Sequence, residues 1–232
     1  MRIATIEHVP FEGPANIAVW ASSRGHHLDR RLLHAGHALP EPGEFDLLAV
    51  MGGPMSVHDE LEFPWLADEK RCVKQAVARG RSVLGVCLGA QLLAEVLGGH
   101  VTKNAQREIG WHPLSASPWA AASPLMRGIP ARFTGFHWHG ETFSLPKGAT
   151  LLAASEACAH QAFGVGGKLA GLQFHFETTA ESMEALIAHC GDEMDPGPFT
   201  QDADTLRRLA PSHLPELEAM LFTLLDNMAR EA

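Results

Sequence analysis

Ser82-Val83-Leu84-Gly85-Val86-Cys87-Leu88-Gly89-Ala90-Gln91 is the stretch that decides the fold. Ser82 to Val86 reads as a buried strand, and Leu88 to Leu97 as a helix ended by Gly98-Gly99. The strand turns into the helix with no loop between them. Upstream, Asp46 to Met51 is a second apolar run, stopping at Gly52-Gly53-Pro54, and Arg2 to Ile6 is a third. Between them lie Ala15 to Ser22, a short predicted helix, and Trp65 to Arg79, whose apolar residues recur at helical spacing before Gly80. Strands alternating with helices across tight glycine turns predict an α/β fold, a mainly parallel central sheet flanked by helices on both faces. An active site belongs at the C-terminal ends of such strands, where the strand-to-helix loops gather.

The second half changes character. Ile109 to Leu114, Phe133 to Trp138, Leu151 to Ala154, Ala162 to Val165 and Leu169 to Phe174 read as strands with short links, predicting a smaller antiparallel portion. Gly164-Val165-Gly166-Gly167-Lys168 is a hairpin signal. Two helices, roughly Thr179 to Cys190 and Leu214 to Ala229, flank a breaker-rich loop over Gly191 to Pro198. The expected division is a catalytic domain over 1–190 and a helical tail over 191–232, packed on the same domain through its apolar stripe.

The charge balance narrows the function. Eighteen Lys and Arg stand against 27 Asp and Glu, a net of −9 among 232 residues. That sign repels phosphate backbones and anionic lipid, so no nucleic-acid or membrane partner is expected. No apolar run approaches the ~18 residues that span a bilayer, and Glu7 and His8 arrive too early for a signal peptide. Four scattered cysteines without a C-x-x-C pair point to a reducing, cytoplasmic setting.

One cysteine stands out. Gly85 and Gly89 flank Cys87 at two residues' distance, the cysteine version of a nucleophile elbow. A sharp turn there lifts the thiol over a helix N-terminus, whose partial charge favours thiolate. The Leu88 N–H, in the first helical turn, has no partner inside the helix and is free to face an oxyanion. Cys72, Cys158 and Cys190 lack these surroundings and read as packing residues. A nucleophilic cysteine needs a base and a group to orient it. In Gln173-Phe174-His175-Phe176-Glu177, an extended strand would place His175 and Glu177 on one side and the two phenylalanines in the core. A competing cluster is His137, His139 and Glu141, two imidazoles and a carboxylate that could form a metal triad. Its spacing is not that of a zinc-binding helix, and no metal or other cofactor is expected.

Five ordered blocks carry a resemblance: Met51-Gly52-Gly53-Pro54-Met55-Ser56, Gly85 to Gln91, Glu108-Ile109-Gly110-Trp111, His137 to Phe143 and Gln173 to Glu177. Together they resemble class I, triad-type glutamine amidotransferase domains, above all the glutaminase half of GMP synthase and its stand-alone relatives. The resemblance implies a flavodoxin-like fold and hydrolysis of the glutamine side-chain amide through a thioester on Cys87. His175 would serve the leaving group and the water, and Glu177 would hold His175. It further implies an oxyanion hole at Gly53 and Leu88, and substrate contacts from Gln91, Trp138, His139 and Gly140. No nucleotide-binding glycine motif accompanies the blocks, so any synthase that accepts the ammonia is expected on a separate chain. A free-standing γ-glutamyl peptidase and a non-catalytic regulatory or binding module are the alternatives on the same fold.

Overall fold

Strand β4 (Ser82–Val86) and strand β9 (Leu169–Leu172) lie side by side and parallel at the middle of the sheet. This one pairing brings residues 87 and 173–177 together across more than 80 residues of chain, because both follow C-terminal strand ends. The computed structural model describes residues 1–231. Its other strands are β1 (Arg2–Glu7), β2 (His27–Leu32), β3 (Leu47–Val50), β5 (Val101–Ala116), β6 (Arg132–Phe143), β7 (Thr150–Ala154) and β8 (Ala162–Val165). The helices are α1 (Asn16–Ser23), α2 (Trp65–Ala78), α3 (Leu88–Val96), α4 (Ala180–Cys190) and α5 (Ala203–Glu231).

The strands form one sheet in the order β2-β1-β3-β4-β9-β8-β7-β5-β6. From β2 to β9 the pairs are parallel; from β9 to β6 they are antiparallel. The fold is therefore α/β with a mixed sheet, parallel on one side and antiparallel on the other. Strand β3 shows why both faces are covered. Its Leu47 and Ala49 enter a core shared with α1, α4 and α5, whereas Leu48 and Val50 enter one shared with α2 and α3.

Strands β5 and β6 extend past their expected ends, and three further elements differ from the sequence expectation. Strand β2, His-Leu-Asp-Arg-Arg-Leu, has no apolar alternation because it is a half-exposed edge, so only its pairing with β1 reveals it. Strand β9 stops at Leu172, and Gln173 to Glu177 is a bend rather than a strand. Helix α5 begins at Ala203 instead of Leu214 and runs through Pro211 and Pro215, which read as breakers in isolation. Its stripe of Leu217, Met220, Leu221, Leu224, Leu225 and Met228 is buried on the sheet. Each such side chain contributes roughly 1.5–3 kcal/mol, enough to hold a helix with two internal prolines.

Candidate active site

Cys87 has φ 51° and ψ −107°, a region that side chains other than glycine rarely enter. Such a conformation costs on the order of 1–3 kcal/mol and persists only when its surroundings impose it. Those surroundings are the two glycines. A Cβ at Gly85 would collide with the carbonyl of Gly89, and a Cβ at Gly89 with that of Val50. The Cys87 N–H completes the ladder by donating to Leu172 O at 2.7 Å. The thiol thus leaves the sheet at its C-terminal edge and faces a cleft of about 270 Å³. Gly53, Gln91, Trp138, His139 and Gly140 line the same cleft, while Leu88 opens α3 just behind it.

His175 and Glu177 meet, but by a different route from the expected strand. The chain bends after Leu172, the His175 N–H donates to Phe136 O at 2.8 Å, and the ring turns toward Glu177. His175 Nδ1 and Glu177 Oε1 are 2.7 Å apart, both side chains buried. Phe174 and Phe176 are sunk in the core, although a bend and not strand alternation puts them there. Burial opposes a charge on His175, but Glu177 and the neighbouring Cys87 side chain override it and raise it well above the usual histidine range. The remaining cysteines have no such company. Burial pushes Cys72 and Cys190 up to about 12 and raises Cys158 as well.

Sequence reasoning passed over several residues around this centre. His8 donates from Nδ1 to Gly52 O at 2.8 Å and contacts Glu69 from Nε2 at 2.9 Å, fixing the backbone that leads into Gly53. Burial opposes its charge; Glu69 overrides that, leaving His8 raised. Glu12 lines the cleft, and burial raises its carboxyl to about 7. A Cβ at Gly52 would collide with that carboxyl and stand 3.2 Å from His175 Cε1, so the glycine gives Glu12 its place beside the imidazole. On the far wall, the Trp138 indole donates to Glu193 Oε2 at 3.2 Å and Arg107 donates to Glu193 O at 2.6 Å, tying the turn after α4 to the cleft. No motif marks His8, Glu12, Glu69, Arg107 or Glu193, since each meets its partner through tertiary packing alone.

The competing cluster of His137, His139 and Glu141 is not the one that forms, because its carboxylate differs. Glu141 faces the cleft and accepts from Ser56 Oγ at 3.2 Å, apart from the histidines. Glu108 takes its place. Three additional residues between Lys103 and Glu108 shift the β5–β6 register, setting Glu108 opposite His139. Ligand atoms of Glu108, His137 and His139 lie within 4.8 Å of one another, all buried. The amide nitrogen of Gln161 sits among them, 2.6 Å from Glu108 Oε2 and 3.4 Å from His137 Nδ1 and from His139 Nε2. Ser155 Oγ donates to the other Glu108 oxygen at 2.8 Å. The Gln161 amide and the Ser155 hydroxyl thus share the Glu108 carboxylate with the histidines. Burial opposes the charge of Glu108, but its histidine and serine partners outweigh this and bring it down to about 2. Burial, helped by the neighbouring histidines, takes His137 down to about 3.

Comparison with known proteins identifies the family. The family model for class-I glutamine amidotransferases matches residues 23–191. The glutamine amidotransferase-like protein YfeJ of Salmonella typhimurium is 36% identical over 198 residues, covering 84% of this chain and 83% of that one. The GMP synthase [glutamine-hydrolyzing] of Thermomicrobium roseum is 33% identical over 141 residues, 60% of this chain but only 25% of that enzyme. Among solved structures, a glutamine amidotransferase from Thermotoga maritima superposes with a TM-score of 0.89 at 31% identity, covering 98% of this chain and 97% of that one. One from Methylobacillus flagellatus gives 0.93 at 28%, covering 99% and 94%. The chain belongs to the class-I glutamine amidotransferase family.

Proposed function

We propose that this protein hydrolyses the side-chain amide of glutamine or a related γ-glutamyl compound through a thioester on Cys87. The observation that carries the reading is a thiol held at positive φ, facing a cleft, beside an imidazole whose Nδ1 is 2.7 Å from a carboxylate. The Cys87 sulfur attacks the amide carbon, and the resulting oxyanion is met by the N–H groups of Gly53 and Leu88. His175, charged by Glu177, gives its proton to the departing nitrogen, which leaves as ammonia or an amine. A water then loses a proton to the neutral ring and attacks the thioester, releasing glutamate and restoring the thiol. Gln91 and the Trp138 to Gly140 segment hold the glutamyl end. A separate synthase chain accepting the ammonia fits relatives such as a glutamine-hydrolyzing GMP synthase subunit from Sulfurisphaera tokodaii, 33% identical over 136 residues.

Purified protein should release glutamate from glutamine or γ-glutamyl dipeptides, with thiol alkylation abolishing the activity and chelators leaving it intact. Running the panel with and without cell extract separates a self-sufficient hydrolase from a glutaminase that needs its synthase. Release that survives alkylation of Cys87, or that a chelator removes, defeats the scheme.

A further inference from the structure

Gln173 belongs to the same sequence block as the base, yet its side chain takes no part in the scheme above. It is fully buried, and its Nε2 lies 3.6 Å from Cys87 Sγ. Gln91, whose own side chain lines the cleft, donates from Nε2 to Gln173 Oε1 at 3.2 Å, leaving the Gln173 N–H groups toward the sulfur. The sulfur has a second neighbour, the Trp138 carbonyl at 3.7 Å, which only accepts. The two partners therefore suit different protonation states. A thiol donates to Trp138 O, and a thiolate accepts from Gln173.

We propose that Gln173 is a catalytic residue that holds Cys87 as a thiolate through its side-chain N–H, with Gln91 as the positioning residue that aims it. This rests on Cys87 being the nucleophile. Hydrogen bonds to a charged acceptor are stronger than those to a neutral one, and in a buried chain of amides each bond polarises the next. Other charged groups face the sulfur as well. His175 with Glu177 comes from the bend after β9, and Glu12 from the loop after β1. His139, Glu141, Arg107 and Glu193 stand around the cleft. None of them is altered by substitutions in the amide pair.

The test titrates the sulfur instead of following turnover. Thiolate ultraviolet absorbance is recorded against pH in the full chain, with Cys87→Ser as the blank. Cys72 and Cys190, pushed up to about 12, add no signal near neutrality. Gln173→Met, similar in length and without a donor, is expected to move the Cys87 midpoint up by about one pH unit. Gln91→Met, at the cleft wall, is expected to move it the same way by less. Equal midpoints in folded variants, judged by thermal melting, overturn the proposal, as does a downward shift. If Gln173→Met does not fold, Gln91→Met decides alone. Because no substrate enters the measurement, a chain inactive on every γ-glutamyl compound still tells whether Gln173 holds the thiolate.

Discussion

Two histidine–carboxylate sites, built from the same residue types, sit on opposite sides of β9 and end in different electrostatics. At the parallel edge, His175 pairs with one oxygen of Glu177, and the other oxygen has no partner among the described residues. The ring faces a strained thiol and is raised well above its usual range. In the antiparallel half, both oxygens of Glu108 are held by Ser155 and Gln161, and His137 is brought down to about 3. Residue type does not separate these sites; what each carboxylate has left unsatisfied does. The first site keeps a raised imidazole beside the Cys87 thiol. The second encloses its charge in donors, beside the strand that carries Trp138 to Gly140.

The sharpest way to break this comparison is to remove the reactive atom. Cys87→Ala is expected to lower γ-glutamyl hydrolysis by about 10⁶-fold, since nucleophile and base act as a unit, while the melting temperature barely changes. Glu177→Gln should cost less, on the order of 10⁴-fold, because the thiol remains and only the hold on the imidazole is lost. Steady-state glutamate release measures both. Near-normal turnover in the alanine variant ends the mechanism, and an equal loss in the two variants means Glu177 does more than orient.

The same contrast explains what could be read in advance. The elbow is legible because its two glycines sit two residues either side of Cys87, even though the Val50 carbonyl that Gly89 avoids comes from β3. His175 and Glu177 were legible as a pair, but their strand was not real. Beside Cys87 the partner strand has already turned away, so the chain bends to bond Phe136 instead. Nothing local gives Glu108 a role, since a register shift in β5 decides which residue faces His139. Strand β2 carried no apolar pattern at all, as its edge position leaves it half exposed. Long-range pairing, not local preference, set each of these.

A middle-sized effect should come from the enclosed site. Glu108→Gln removes the carboxylate charge that Ser155 and Gln161 hold and is expected to destabilise the fold by about 3 kcal/mol. The sign with pH follows from the carboxyl lying at about 2 when folded, against an ordinary 4.5. Its contribution is present above the ordinary value and disappears as pH falls through the folded one, so the wild-type advantage should shrink between those limits. Chemical denaturation across that range measures it. If Glu108→Gln instead abolishes hydrolysis with stability intact, the antiparallel cluster is part of the reaction and the contrast between the two sites fails.

Glu12 tests the comparison at its boundary, as a carboxyl beside His175 that belongs to neither pair. Burial raises it to about 7, so the folded chain holds a proton there over a range where the unfolded chain has lost it. Stability from this residue therefore falls as pH rises from the ordinary carboxyl value of 4.5 through about 7. Glu12→Gln removes the penalty and should melt higher than wild type at about pH 8, by ~1–2 kcal/mol, with no gain at about pH 4. A gain of the same size at both pH values would show that the carboxyl is not titrating, and that its place against Gly52 serves packing alone. A pH-dependent gain would instead mark Glu12 as a charge that the site tolerates beside its imidazole, kept protonated until neutrality by the same burial that isolates His175 from water.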